Sequence, residues 1–66
     1  MPWDEVSYPA SMRYLSEVTR AKAIEIANAL LAEGADEGRA IRIGIARAEA
    51  WARVRGLPVR DDGDLA

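Results

Sequence analysis

Apolar residues recur at spacings of three and four in two stretches of the chain, which predicts two amphipathic helices. The first predicted helix covers residues 17–33 and the second covers residues 37–55. Ser16 and Asp36 precede them as N-caps, because their side-chain oxygens can accept hydrogen bonds from free N–H groups of the first turn. A glycine follows each helix, as is common at helix C-termini. Only residues 34–36 connect the two predicted helices, and so short a connection predicts an antiparallel hairpin.

The N-terminal part of the chain has a different pattern. Residues 1–15 contain two prolines and three of the four aromatic residues. Because proline does not fit inside a helix, this part is predicted to be an arm, with a short helical turn starting at Pro9. The predicted fold is therefore all-α: an aromatic N-terminal arm with a short helical turn, packed on an antiparallel two-helix hairpin. Residues 1–58 form one domain, and residues 59–66 are predicted to be a disordered tail.

The second predicted helix is apolar over more than half of its circumference, so more than one side of it should be covered. The first helix can cover one side, and either the arm or a second copy of the chain can cover the other. A ridge of small residues spaced by four allows close approach of another backbone or ring: Ala40, Gly44 and Ala48. The predicted interaction surface consists of Ile43, Ala50, Val54, Trp3 and Trp51.

The amino-acid composition limits which cross-links and metal sites this chain can form. The 66 residues include no cysteine and no histidine, so disulfides are excluded and a structural zinc site has no usual ligands. We therefore expect no metal and no cofactor. The chain lacks an apolar leader and any apolar run of about 20 residues, the length needed to span a bilayer. Together with the absence of cysteine, this pattern predicts a cytoplasmic protein without membrane insertion.

The sequence does not predict catalysis. The serines and the threonine have no histidine to act as a base, and Ser16 is explained as a cap. Glu25 lies three residues after Lys22, and Glu49 lies four before Arg53, which are spacings of ordinary helical ion pairs. We therefore expect no catalytic residues and a protein that is not an enzyme.

Arginines give the second helix a local basic character, although the net charge of the chain is −2. They are candidate contacts for an anion or a nucleic acid, and the helical hairpin resembles the shape of a helix-turn-helix motif. The acidic chain and the absence of that motif's flanking helices favour a solvated strip instead, so nucleic acid is not the expected partner. The candidate residues are Arg39, Arg42, Arg47 and Arg53.

Several unusual segments occur in a fixed order: Met1-Pro2-Trp3, Tyr8-Pro9-x-Ser11-Met12-Arg13, Arg20-x-Lys22-Ala23-Ile24-Glu25, Asp36-Glu37-Gly38-Arg39 and Trp51-Ala52. In this order and spacing, over about residues 1–51, the chain resembles the YdaT-like group of short uncharacterised bacterial proteins. Ala35 stands where that pattern has an aromatic residue. The opening segments also resemble those of ChaB-like proteins, proposed regulators of cation transport. Both resemblances imply a small cytoplasmic protein of bacteria or phages with a link to stress, and neither implies catalysis.

The predicted function is that of a small non-enzymatic interaction or accessory protein. It would act through protein–protein contacts, with an unknown protein partner or with itself as a homodimer. One alternative is a nucleic-acid-binding module that uses the arginines of the second helix. The other, from the ChaB-like resemblance, is a regulator of cation transport.

Overall fold

The computed structural model describes residues 2–61. A short 3-10 turn, Ala10–Met12, precedes helix α1, Glu17–Ala32, and helix α2, Glu37–Val54. The two helices pack against each other as a hairpin, so the all-α prediction is confirmed, and each helix ends one residue earlier than predicted. Within residues 2–61 there is no β-strand beyond one isolated antiparallel bridge, between Leu15 and Arg60.

Both helices begin at the predicted N-caps. Ser16 accepts a hydrogen bond from the backbone N–H of Thr19 at 3.3 Å, and Asp36 accepts one from that of Arg39 at 2.8 Å. These bonds satisfy N–H groups that a first helical turn leaves free. After α1, Gly34 adopts the left-handed conformation with φ 103°, which reverses the chain toward α2 at no steric cost to a glycine.

The helices approach each other closely where α2 carries its ridge of small residues. Ala40, Gly44 and Ala48 are all buried, as are Ala23 and Ala27 of α1. A Cβ atom added to Gly44 would lie 2.9 Å from the carbonyl oxygen of Ala23 and 3.1 Å from the Cβ of Ala27. The predicted close approach is therefore confirmed, and the approaching backbone belongs to α1.

The arm folds back onto α1. The backbone N–H of Trp3 donates to Oδ1 of Asn28 at 3.3 Å, and Nδ2 of Asn28 donates to the carbonyl oxygen of Trp3 at 2.9 Å. The side chains of Trp3 and Tyr8 pack against the core, in which Met12 and Leu15 are fully buried. One buried side-chain amide thus pairs with both backbone groups of an arm residue.

The segment after α2 also joins the domain, which differs from the prediction of a disordered tail starting at residue 59. The carbonyl oxygen of Pro58 accepts hydrogen bonds from the hydroxyls of Ser16 and Thr19, and Ser16 N–H donates to the carbonyl oxygen of Val59 at 2.9 Å. The side chain of Val59 packs against the core. Buried hydroxyls at the start of α1 need acceptors, and this segment supplies them. The rest of the predicted tail, residues 62–66, lies outside the described residues.

Within residues 2–61, no helix combines the length and the apolar character required to cross a lipid bilayer.

Candidate interaction surface

Helix α2 presents an apolar stripe away from α1. Val54 is 83% exposed, Ala46 and Ala50 are exposed, and Ile43 is half-buried without joining the core cluster. Their spacing of three, four and four residues places them on one side of the helix. We call Ile43, Ala46, Ala50 and Val54 the outer face of α2. The sequence left open whether the arm covers this side, and the arm instead fastens to Asn28 of α1.

The two tryptophans predicted for the interaction surface lie elsewhere. Trp3 belongs to the arm and packs against the core, and Trp51 is half-buried on α2. Lys22 Nζ and Arg55 Cζ lie 4.9 and 5.1 Å from the Trp51 ring centroid, within cation–π range. The predicted surface therefore divides: three of its members belong to the outer face, and the two tryptophans contact other residues. Whether any of the five binds another protein stays a prediction.

The four candidate arginines of α2 are all exposed: Arg39, Arg42, Arg47 and Arg53. Arg53 Nη2 lies 3.8 Å from Glu49 Oε1. Among residues 2–61, the other three have no carboxylate oxygen within 4 Å. At about 100° per residue, Arg42 and Arg53 follow one edge of the outer face and Arg47 follows the other edge. The structure thus brings the predicted basic strip and the predicted apolar stripe together.

Glu49, the carboxylate that lies next to Arg53, also contacts Tyr14. The phenol of Tyr14 donates to Glu49 Oε2 at 2.8 Å. Burial raises the pKa of Tyr14 above its ordinary value of 10, and the hydrogen bond to Glu49 and the negative charge of that carboxylate raise it further. Arg60, whose Cζ lies 5.0 Å from the Tyr14 ring centroid, acts in the opposite direction.

Glu49→Gln is expected to lower the pKa of Tyr14 toward its ordinary value, because the variant removes the carboxylate charge next to the phenol. A raised phenol pKa in the folded state adds stability that is complete below the unfolded-state pKa. That stability is lost as the pH rises through the folded-state pKa, so the wild type loses it above pH 10. Titration of the Tyr14 Cζ signal by carbon NMR measures the pKa. The control is Arg53→Gln, which keeps the hydrogen bond between Tyr14 and Glu49 and should not lower the pKa of Tyr14. An unchanged pKa of Tyr14 in Glu49→Gln would contradict the conclusion that the Glu49 carboxylate helps to raise it.

Sequence reasoning missed Arg20, which helps to hold the arm. Its Nη1 donates to the carbonyl oxygens of Leu15 at 2.7 Å and Arg13 at 3.3 Å, and its guanidinium carbon lies 4.8 Å from the ring centroid of Tyr8. Its Nε is buried and has no hydrogen-bond partner within residues 2–61. The only local sequence signal was an arginine next to the apolar arc of α1, and this signal does not predict that the arginine binds backbone carbonyl groups of the arm.

These features define a class of protein: a small helical hairpin with its arm fastened to the first helix and an apolar and basic outer face on the second. The sequence is 47% identical over 62 residues, 94% of the chain, to a Bacillus subtilis (strain 168) protein named "Uncharacterized protein YdaT". The chain is therefore YdaT-like over this segment, as predicted, and it spans 41% of the length of that relative. No family model and no solved structure matches the chain. The ChaB-like resemblance stays a prediction.

Proposed function

We propose that this chain is a non-enzymatic interaction module that binds a protein through the outer face of α2. The single observation that carries the proposal is the 83% exposure of Val54 in line with Ile43, Ala46 and Ala50. Burial of apolar surface contributes about 25 cal/mol per Å², so covering this stripe would stabilise an assembly. The absence of histidine and cysteine supports a non-catalytic role, because the commonest general base and the most nucleophilic side chain are missing.

The proposal is tested by a photo-activated cross-linking residue placed at Ala50 in the whole chain, inside bacterial cells that express it. We expect protein adducts from Ala50 and few from Ala32, an exposed alanine of α1. An adduct of two copies would identify a homodimer, and any other mass would identify a different partner. Either result supports binding at this face.

Val54→Asp should remove the adducts formed at Ala50, because a carboxylate would have to be desolvated in the contact. The matched control is Val6→Asp, which changes an arm residue that is 93% exposed and should leave the adducts unchanged. Equal adduct yields from Ala50 and Ala32, or from the Val54 variant and the wild type, would refute the proposal.

The second candidate function is nucleic-acid binding, favoured by three exposed arginines on α2 that have no carboxylate within 4 Å among residues 2–61: Arg39, Arg42 and Arg47. If this is the function, the chain should bind a labelled nucleic-acid duplex at low salt. Binding should then weaken steeply as salt rises, since phosphate contacts release counterions. Fluorescence anisotropy measures this binding, and an unchanged signal at low salt would rule the function out.

A further inference from the structure

The outer face of α2 has the geometry of a helix-pairing seam. Its members Ile43, Ala46, Ala50 and Val54 are spaced by three, four and four residues, close to the repeat that packs one helix along another. Two of them are alanines, whose short side chains allow a second helix to approach closely. An extended segment would find no free backbone partner on a helix, so the seam fits a helical occupant.

The edges of this seam are positive. Arg42 and Arg53 follow one edge and Arg47 follows the other, and all three are exposed. Glu49, whose carboxylate lies 3.8 Å from Arg53, also accepts the hydrogen bond from Tyr14. Within residues 2–61, Arg42 and Arg47 have no carboxylate oxygen within 4 Å.

We propose that the outer face of α2 docks an acidic amphipathic helix of another protein, with small or branched apolar residues along its seam and Asp or Glu at its edges. This inference rests on the proposed function and adds the chemistry of the partner. Complementary charges at the rim of such a contact select the partner and speed its association, while the apolar seam supplies the burial.

A second copy of this chain fits the face poorly. Two-fold pairing of α2 with itself, in parallel or antiparallel orientation, brings the arginines of both copies to the same rim. Like charges facing each other across a helix pair are destabilising. A nucleic acid would cover the seam with phosphates, which leaves Ile43 and Val54 without an apolar contact.

The test uses the whole chain and three synthetic helical peptides of about three heptads. All three share one seam of leucine and alanine, and they differ only in carrying glutamate, glutamine or lysine at the edge positions. Amide signals of the ¹⁵N-labelled chain are followed during titration. We expect the glutamate peptide to shift the signals of the outer face and to bind about tenfold more tightly than the lysine peptide, with the difference shrinking as salt rises.

Charge reversal provides the sharpest variant. Arg42→Glu combined with Arg47→Glu changes exposed side chains without an ion pair among residues 2–61, so the fold should persist. The double variant should invert the preference and bind the lysine peptide more tightly. Arg13→Glu, at an exposed arginine of the arm, should keep the wild-type preference. Val54→Asp should weaken binding of all three peptides.

Several results would overturn the proposal. They are equal binding of the three peptides, equal binding of a glutamate peptide without an apolar seam, and shifts confined to another surface. A stable dimer in light scattering that Val54→Asp dissociates would make a second copy the occupant. If removal of residues 62–66, which include two aspartates, shifts the outer-face signals, the chain's own end is the occupant. If none of the peptides binds while cross-linking at Ala50 still gives adducts, the inferred partner chemistry is wrong and the proposed function stands. Absence of adducts at Ala50 refutes both the inferred partner and the proposed function.

Discussion

Gly44→Ala is expected to lower the free energy of unfolding by up to about 2 kcal/mol, which is the usual overpacking cost of about 1–3 kcal/mol less the gain in helix propensity. The added Cβ would lie 2.9 Å from the carbonyl oxygen of Ala23, a backbone atom that cannot swing aside as a side chain does. The helices must therefore separate, which loosens the packing along Ala40 and Ala48 as well. This loss outweighs the gain of about 0.8–1.0 kcal/mol in helix propensity that alanine ordinarily brings over glycine.

Gly38→Ala is the matched control, because it makes the same chemical change in the same helix. A Cβ at Gly38 would have an ordinary contact of 3.6 Å to the Asp36 carboxylate and no tight neighbour. This variant should be at least as stable as the wild type. In thermal unfolding followed by circular dichroism, each kcal/mol lost by a domain of this size lowers the midpoint by roughly 4–8 °C. Equal midpoints for Gly44→Ala and Gly38→Ala would show that the helices are not in close contact at this position.

The close approach at Gly44 belongs to the part of the fold that the sequence predicts well. Helix limits follow from local chemistry: Ser16 and Asp36 as caps, and a glycine after each helix. A small residue repeated every four positions is also a local pattern, and it indicates where a helix can approach another backbone. Each of these signals lies within a few residues of the feature it determines, so one sequence is sufficient to detect it.

Contacts of the arm and of the C-terminal segment depend on distant backbone groups, and no local pattern encodes them. The Pro58 carbonyl accepts from Ser16 and Thr19, which are 42 and 39 residues away. Asn28 gives one partial signal, because its polar side chain borders the apolar arc of α1, and a buried amide must find partners. The pattern cannot say that these partners belong to Trp3, since the arm has several routes back to the hairpin.

The candidate surface was predictable in the same uneven way. Periodicity identified the apolar excess of α2 and placed Ile43, Ala50 and Val54 beyond the part that α1 covers. It also assigned Trp51 to the interaction surface, whereas the ring is half-buried beside Lys22 and Arg55. The sequence could not show whether the arm covers the outer face, because this depends on where the arm binds, and the arm binds Asn28 of α1.

Asn28→Ala is expected to release the arm and to lower the free energy of unfolding by about 1–3 kcal/mol, the cost of leaving buried polar groups unpaired. Asn28 is 4% exposed, and its amide satisfies both the N–H and the carbonyl oxygen of Trp3. Without it, the arm can keep these groups buried and unpaired or expose them to water. The second outcome uncovers the apolar surface under the Trp3 ring. Because α1 and α2 still pack through their alanines, the hairpin should retain most of its helical signal.

Amide hydrogen exchange measured by NMR separates release of the arm from general unfolding. In Asn28→Ala, the Trp3 amide should lose its protection while the amide of Ala48 in α2 keeps most of its own. Ala29→Asn is the matched control, because it places the same amide side chain at the neighbouring, exposed position of α1. That variant should leave the Trp3 amide protected, since only the buried amide of Asn28 reaches the arm. If Trp3 stays protected in Asn28→Ala, the aromatic packing of Trp3 and Tyr8 holds the arm by itself and the amide contributes little.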